Sequence, residues 1–404
     1  MTTSLTIFPG TWCTDFPVHV TPWSVVNGET SEKRRTPPWG RVLLVAVVAL
    51  LVAGTGMVLL PRDSGTPPAV SFSEAARLTA LEDTLLLRDS ATTLTESAAP
   101  EAERPALGNA VTLLTTHAQA LLGPHGATSS ATSSATSSAI PSGAAATATT
   151  APSSRGSFLM GLAGSGWKRL ADARTADGGI ARLLAAVGSA QVLQAEKLAA
   201  EWQLPLPDQT TVLETKAPAA TALAASCPSA SPTPEPTSAT TDTALAAVVR
   251  SQQQAVYVYQ VALKRLNETK SAAAAKYLQV HEALLRQAES VTSANCADVP
   301  TSEAGYRVPE QLTQDPATFL GSLELASLPR FGDLVALSTD ETRTWAIDGL
   351  LAAARRSTAW GAPLPPLPGL MLDAGELPSL PTPTTTPTAK PTAKPAATTD
   401  SKGG

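Results

Sequence analysis

Three Pro/Ser/Thr/Ala-rich stretches interrupt this 404-residue chain and decide what it can fold into. Residues 124–154 carry repeated Ala-Thr-Ser-Ser units. Residues 228–241 run through Ser231-Pro232-Thr233-Pro234-Glu235-Pro236. The tail repeats Thr-Ala-Lys-Pro around Lys390 and Lys394. Such segments bury too little apolar surface to offset the entropy of ordering, and they read as solvated, partly polyproline II linkers. The core must come from what lies between them. Those segments show helical spacing and no readable strand pair. Aromatics are only 4% and charged residues 16%, while much of the 43% hydrophobic content is alanine.

The first helical region starts at a capping-box pattern, Ser71 with Glu74, and continues as the stripe Leu78, Leu81, Leu85 and Leu94. A second stripe follows through Leu107, Val111, Leu114, Ala118 and Leu121. A third helix is expected over Leu159–Arg174. A fourth runs from Ile180 to Trp202 and stops at Pro205 and Pro207. The second region is clearer. Asp242 is expected to cap a helix that carries Leu245, Val249, Gln252, Val256, Tyr259 and Leu263. Residues 271–294 form the next, with Ala274, Leu278, His281, Leu285 and Ala288 on one face. A third begins at Asp315-Pro316, with Pro329 expected to break or kink it. A fourth begins at the capping-box pattern Ser338 to Glu341, runs to Trp360 and stops at Gly361 and Pro363.

Val42 to Leu60 is an uncharged run of 19 residues. At about 1.5 Å per residue it would cross one hydrocarbon core. Lys33, Arg34, Arg35 and Arg41 precede it, so the positive-inside bias would place residues 1–41 in the cytoplasm and the remainder outside. The run exceeds a signal-peptide core and reads as an uncleaved single-pass anchor in the cell membrane. The expected order is an irregular segment 1–41, a transmembrane helix 42–60, a helical hairpin 61–123, a linker 124–154 and a helical segment 155–227. A linker 228–241, a four-helix bundle 242–372 and a disordered tail 373–404 complete it. The expected fold class is all-α.

On that topology Cys227 and Cys296 face an oxidising compartment and are disulfide candidates, whose bridge would be structural. A net charge of −5 with no extended basic block disfavours nucleic-acid binding. Gly161 to Gly166 is glycine-rich, but no Walker lysine follows, and it reads as a flexible helix start. Arg355-Arg356 suits a helix C-terminus; its functional reading is an anion site.

The second region resembles a ferritin-like domain family of unknown function from cell-envelope proteins of high-GC Gram-positive bacteria. Ala255-Val256-Tyr257-Val258-Tyr259 carries the resemblance, with His281 in an Ala-rich helix and Gly305-Tyr306-Arg307-Val308-Pro309. Trp360-Gly361-Ala362-Pro363 running into Leu367-Pro368-Gly369-Leu370 adds to it. The resemblance implies a ferritin-like four-helix bundle without a settled activity. Bundles that hold two metals need Glu from two helices and Glu-x-x-His from two more. This chain has no Glu-x-x-His, and Gln252-Gln253 stands where related members carry Glu-His. No cofactor and no metal is expected. Gln252, Gln253, Tyr259, His281 and Glu324 are read instead as a mutually hydrogen-bonded core polar cluster. The function read from the sequence is a membrane-anchored, non-enzymatic structural or interaction module whose partner is an envelope protein or cell-wall component. Two alternatives stand beside it: a metal-binding oxidase or storage protein using His281 and Glu324, and a carrier of a small apolar ligand in the bundle core.

Overall fold

The computed structural model describes residues 70–97, 101–129, 154–206, 227, 239–372 and 374–380. Nine α-helices and no strand occur among them. These are α1 (Phe72–Ser97), α2 (Arg104–Ser129, interrupted at Gly123), α3 (Arg155–Thr175), α4 (Gly178–Trp202), α5 (Thr241–Ala262), α6 (Glu268–Ala294), α7 (Glu310–Gln314), α8 (Pro316–Leu337) and α9 (Asp340–Ala359).

One expectation requires correction. No helix among the described residues is long and apolar enough to cross a membrane. The apolar run 42–60 lies outside the described residues. The transmembrane helix and the single-pass membrane placement built on it are therefore withdrawn. The long helices that are described carry charged residues away from their buried stripes, such as Glu82 and Asp89 on α1 and Lys276, Glu282, Arg286 and Glu289 on α6. They bury a stripe and wet the rest, as helices of a water-facing bundle do. The three low-complexity linkers lie almost wholly outside the described residues.

The helices pair as antiparallel neighbours joined by short turns, α1 with α2, α3 with α4, α5 with α6 and α8 with α9. Glycine sets the closeness of one pair. A Cβ on Gly188 would meet the Gly166 carbonyl oxygen at 2.8 Å, so α3 and α4 could not approach as they do with any larger residue there. Gly161–Gly166 thus lies inside α3, with Gly166 as the contact to α4, and not at a flexible start. Ser154 caps α3 and exchanges bonds with Ser157.

The two helical regions share one core. Leu184 and Val187 of α4 belong to the same buried cluster as Leu245 of α5, Phe331 of α8 and Trp345 and Leu350 of α9. Helix α8 lies against α4 and α5, and α9 against α3 and α4. Arg182 on α4 pairs with Asp333 on α8 at 2.7 Å. The segment after α9 folds back over both regions. His117 on α2 donates to the Pro366 carbonyl at 2.8 Å, and Arg182 donates to the Gly369 carbonyl at 2.6 and 2.9 Å. Cys227 and Cys296 are joined by a disulfide, which ties the entry to α5 to the end of α6.

Several local expectations shift. Thr240, not Asp242, caps α5 and forms a capping box with Thr243. At α1, Ser71 accepts from the Glu74 N–H at 3.3 Å, but the Glu74 carboxylate turns to Arg77 at 2.9 Å. Thr339 caps α9 without a side-chain bond, because Ser338 turns to the Leu334 carbonyl and Asp340 takes a φ of 50°. Helix α8 runs through Pro329 without a break. Its burial against four other helices outweighs the one backbone bond lost at the proline. The short helix α7, in the crossover, has no apolar stripe and was not expected.

The two halves repeat one order of elements: two helices, a long connection, two more helices. The register can be followed in buried and half-buried residues. Ala76, Ala80, Thr84, Leu87 and Ala91 on α1 have the spacing of Ala244, Val248, Gln252, Ala255 and Tyr259 on α5. Ala110, Leu114, His117 and Leu121 on α2 have that of Ala274, Leu278, His281 and Leu285 on α6, and each histidine lies thirteen residues after the first residue of its helix. From the caps Ser154 and Asp315, Leu159, Ala163, Arg169 and Leu170 on α3 correspond to Leu320, Glu324, Arg330 and Phe331 on α8. Both last helices close on Trp-x-x-Pro-Leu-Pro, at Trp202 and Trp360, with a left-handed residue next, Gln203 (φ 54°) and Gly361 (φ 84°).

Candidate functional site

Seven-residue spacing puts Gln252 and Tyr259 on one face of α5. His281 takes the same face of α6 as Ala274 and Ala288. Glu324 sits on α8 between Leu320 and Leu328, and Arg356 on α9 below Leu350 and Ala353. Packing these stripes drives five polar side chains into an otherwise largely apolar interior. Glu324 is 1% exposed, His281 2% and Arg356 5%.

The cluster is built around the Glu324 carboxylate. Its Oε1 accepts from His281 Nε2 at 2.7 Å and from the Tyr259 hydroxyl at 2.8 Å. Its Oε2 accepts from Arg356 Nε at 3.0 Å. Trp360, closing α9, donates its indole N–H to the Tyr259 oxygen at 2.7 Å. On the far side of the imidazole, His281 Nδ1 lies 2.8 Å from Gln252 Oε1. Which of the two donates follows from which end of the amide faces the ring. The ring of Tyr259 lies 4.8 Å from His281 and 6.2 Å from Trp360.

Burial alone would push the Glu324 carboxyl up. The Arg356 guanidinium and the bonds from His281 and Tyr259 outweigh it and hold the group below the ordinary carboxylate range. Burial, with the adjacent Glu324 charge, pushes the Tyr259 phenol well above its ordinary value. The result is an ionised carboxylate with three donors on it, a neutral phenol and a guanidinium, none of them poised as an acid, base or nucleophile near neutral pH.

Of the residues read from the sequence, Gln252, Tyr259, His281 and Glu324 meet. Gln253 does not join them: one position further on, it faces the crossover and donates to the Pro300 carbonyl at 3.0 Å. Arg356 and Trp360 were not read as part of the cluster. Their signal was present, since Arg356 falls three and six residues after Ala353 and Leu350 on the apolar stripe of α9. Arg355, its neighbour, pairs instead with Glu196 on α4.

The residues do not fit a metal pair. Among the described residues the cluster offers one histidine and one carboxylate, His281 and Glu324, and the Arg356 guanidinium already faces that carboxylate. Among the described residues no group of three or more His, Cys, Asp or Glu could hold a metal ion.

The N-terminal half replaces most of the cluster with apolar residues. Ala163 stands where α8 has Glu324, Ala91 where α5 has Tyr259, and Leu198 where α9 has Arg356, all of them buried. His117 remains at the place of His281 but turns to Pro366. The indole N–H of Trp202, the counterpart of Trp360, has no partner among the described residues, as expected where an alanine replaces the tyrosine.

Residues 244–371 match a family described as a domain of unknown function (DUF4439). The match takes in every member of the polar cluster and leaves the N-terminal half outside it. No curated protein and no solved structure matches the chain.

Proposed function

We propose that the chain is a non-enzymatic structural or interaction module whose C-terminal half is a ferritin-like bundle closed by an ion pair in place of a di-metal site. The observation that carries this reading is the occupation of Glu324. Where a ferritin-like bundle sets carboxylates around metals, the one buried carboxylate among the described residues is bound by Arg356, His281 and Tyr259. The guanidinium supplies the positive charge that a cation would, and it repels a divalent ion from the same carboxylate. The Cys227–Cys296 bridge supports work in an oxidising compartment. The partner that fits this reading is an envelope protein or a cell-wall component of a bacterial source.

Elemental analysis of the purified full chain, loaded with iron(II) or manganese(II) and then dialysed, tests the proposal. The expected result is far less than one metal per chain. Stoichiometric metal that survives dialysis and is lost in Glu324→Gln would overturn it.

A further inference from the structure

We propose that the hollow between α5 and α8 is a binding site for a small carboxylate with an apolar body. The hollow holds about 240 Å³, and Gln252, His281, Ser251, Phe319, Leu323 and Arg330 line it. That is just under the range of about 300–1,000 Å³ of drug-sized sites, so its ligand is small.

The cationic group at the rim, Arg330, has no anionic partner among the described residues. Gln252 Nε2 has one long bond, 3.4 Å to Ser251 Oγ. Arg330, half-buried at the rim, forms no ion pair among the described residues and donates only to the Ala326 carbonyl of its own helix. The one carboxylate at the hollow, Glu324, is filled from its other side by Arg356, His281 and Tyr259. A ligand that completes the site therefore brings an anionic acceptor to Arg330 and Gln252. Its apolar body rests on Phe319 and Leu323. A second hollow of about 370 Å³, which shares Phe319 and Ser322, extends the space outward.

The other half of the molecule shows what satisfies such an arginine. Arg169 on α3 is the counterpart of Arg330. It is wholly buried, donates to Asp83 on α1 at 3.1 Å and lies 3.5 Å from Asp172 on its own helix. In the register of α1 against α5, the counterpart of Asp83 is Ser251. The C-terminal half thus keeps the arginine, turns the counterpart of Asp172, Asp333, to Arg182, replaces the cross-helix carboxylate with the hydroxyl of Ser251, and has a hollow lined by Ser251 and Arg330. The ligand carboxylate takes the role that Asp83 plays for Arg169.

Calorimetric titration of the full chain at low ionic strength, with benzoate and hexanoate against benzamide and hexanol, tests this site. The carboxylates are expected to bind with Kd of about 1 mM or tighter, and the neutral analogues about tenfold more weakly. Arg330→Met is expected to weaken benzoate about tenfold or more, the loss of one charge-assisted contact. Ala326→Trp, made at an exposed rim position, fills the hollow and abolishes binding. Neither residue is in the core, so both variants keep the parent's helical circular dichroism and melting temperature. Absence of carboxylate binding up to about 10 mM, equal binding of the neutral analogues, or unchanged affinity in either variant would overturn the proposal.

Discussion

Arg356 on α9 donates its Nε–H to Oε2 of Glu324 on α8 at 3.0 Å, with both side chains withdrawn from water. Two charges buried together lose their hydration, and their attraction repays that loss only when the geometry is good and other bonds assist. Tyr259 and His281 provide that assistance. The N-terminal half builds the same helical order with Ala163 and Leu198 at these places, so the fold itself does not require the pair.

The phenol of Tyr259 links the carboxylate to Trp360. Tyr259→Phe removes one donor from Glu324 and the acceptor of the indole N–H together. A destabilisation of about 1–3 kcal/mol is expected in urea unfolding, with an unchanged m-value.

His281→Leu should leave the protein folded. Glu324 keeps Arg356 and Tyr259, and the chief loss is the partner of Gln252, worth about 1–3 kcal/mol. A single cooperative thermal transition with parental helix content checks this; a molten, non-cooperative melt would contradict it.

Acid should weaken the fold in two stages. Burial pushes the His117 imidazole down to about 4, against the opposing bond to the Pro366 carbonyl. The unfolded chain, with a histidine near its ordinary value, therefore binds a proton between about pH 6.5 and 4 that the folded chain refuses. Stability is full above that window and declines through it by about 3 kcal/mol. Glu324 adds a second loss at lower pH, because its depressed carboxyl must be protonated as pH falls through the folded value. His117→Gln keeps a donor for Pro366 and should flatten the upper stage alone in urea titrations across pH.

The disulfide closes a loop across a sequence separation of 69. The chain-entropy account gives about 4 kcal/mol for a loop of this size. Cys227→Ser with Cys296→Ser should lower the urea midpoint accordingly while leaving the helix content unchanged.

Much of this architecture was legible as spacing. The stripes on α5 and α6 place Gln252, Tyr259 and His281 on inner faces, and the termini at Trp202 and Trp360 follow from the residues after them. Other features were not legible. Gln253 reads like Gln252 one-dimensionally, yet a step of about 100° around the helix sends it to the crossover. Arg356 reads as a charge suited to a helix end, and only the approach of α8 shows a carboxylate waiting for it. Pro329 reads as a breaker, which burial against four helices overrides. The repeat is carried by burial register more than by residue identity, so a scan for similar residues passes over it. The apolar run 42–60 was legible as a pattern and finds no counterpart among the described residues.

A double-mutant cycle on Glu324 and Arg356, read by urea unfolding of the full chain, tests the central claim most directly. Glu324→Leu and Arg356→Leu should each cost about 3–5 kcal/mol, since each leaves a buried charge alone. The double variant, which approaches the apolar solution of the N-terminal half, should cost less than either single change. Strictly additive losses would contradict the account, because they would mean that the two side chains do not neutralise one another in the interior.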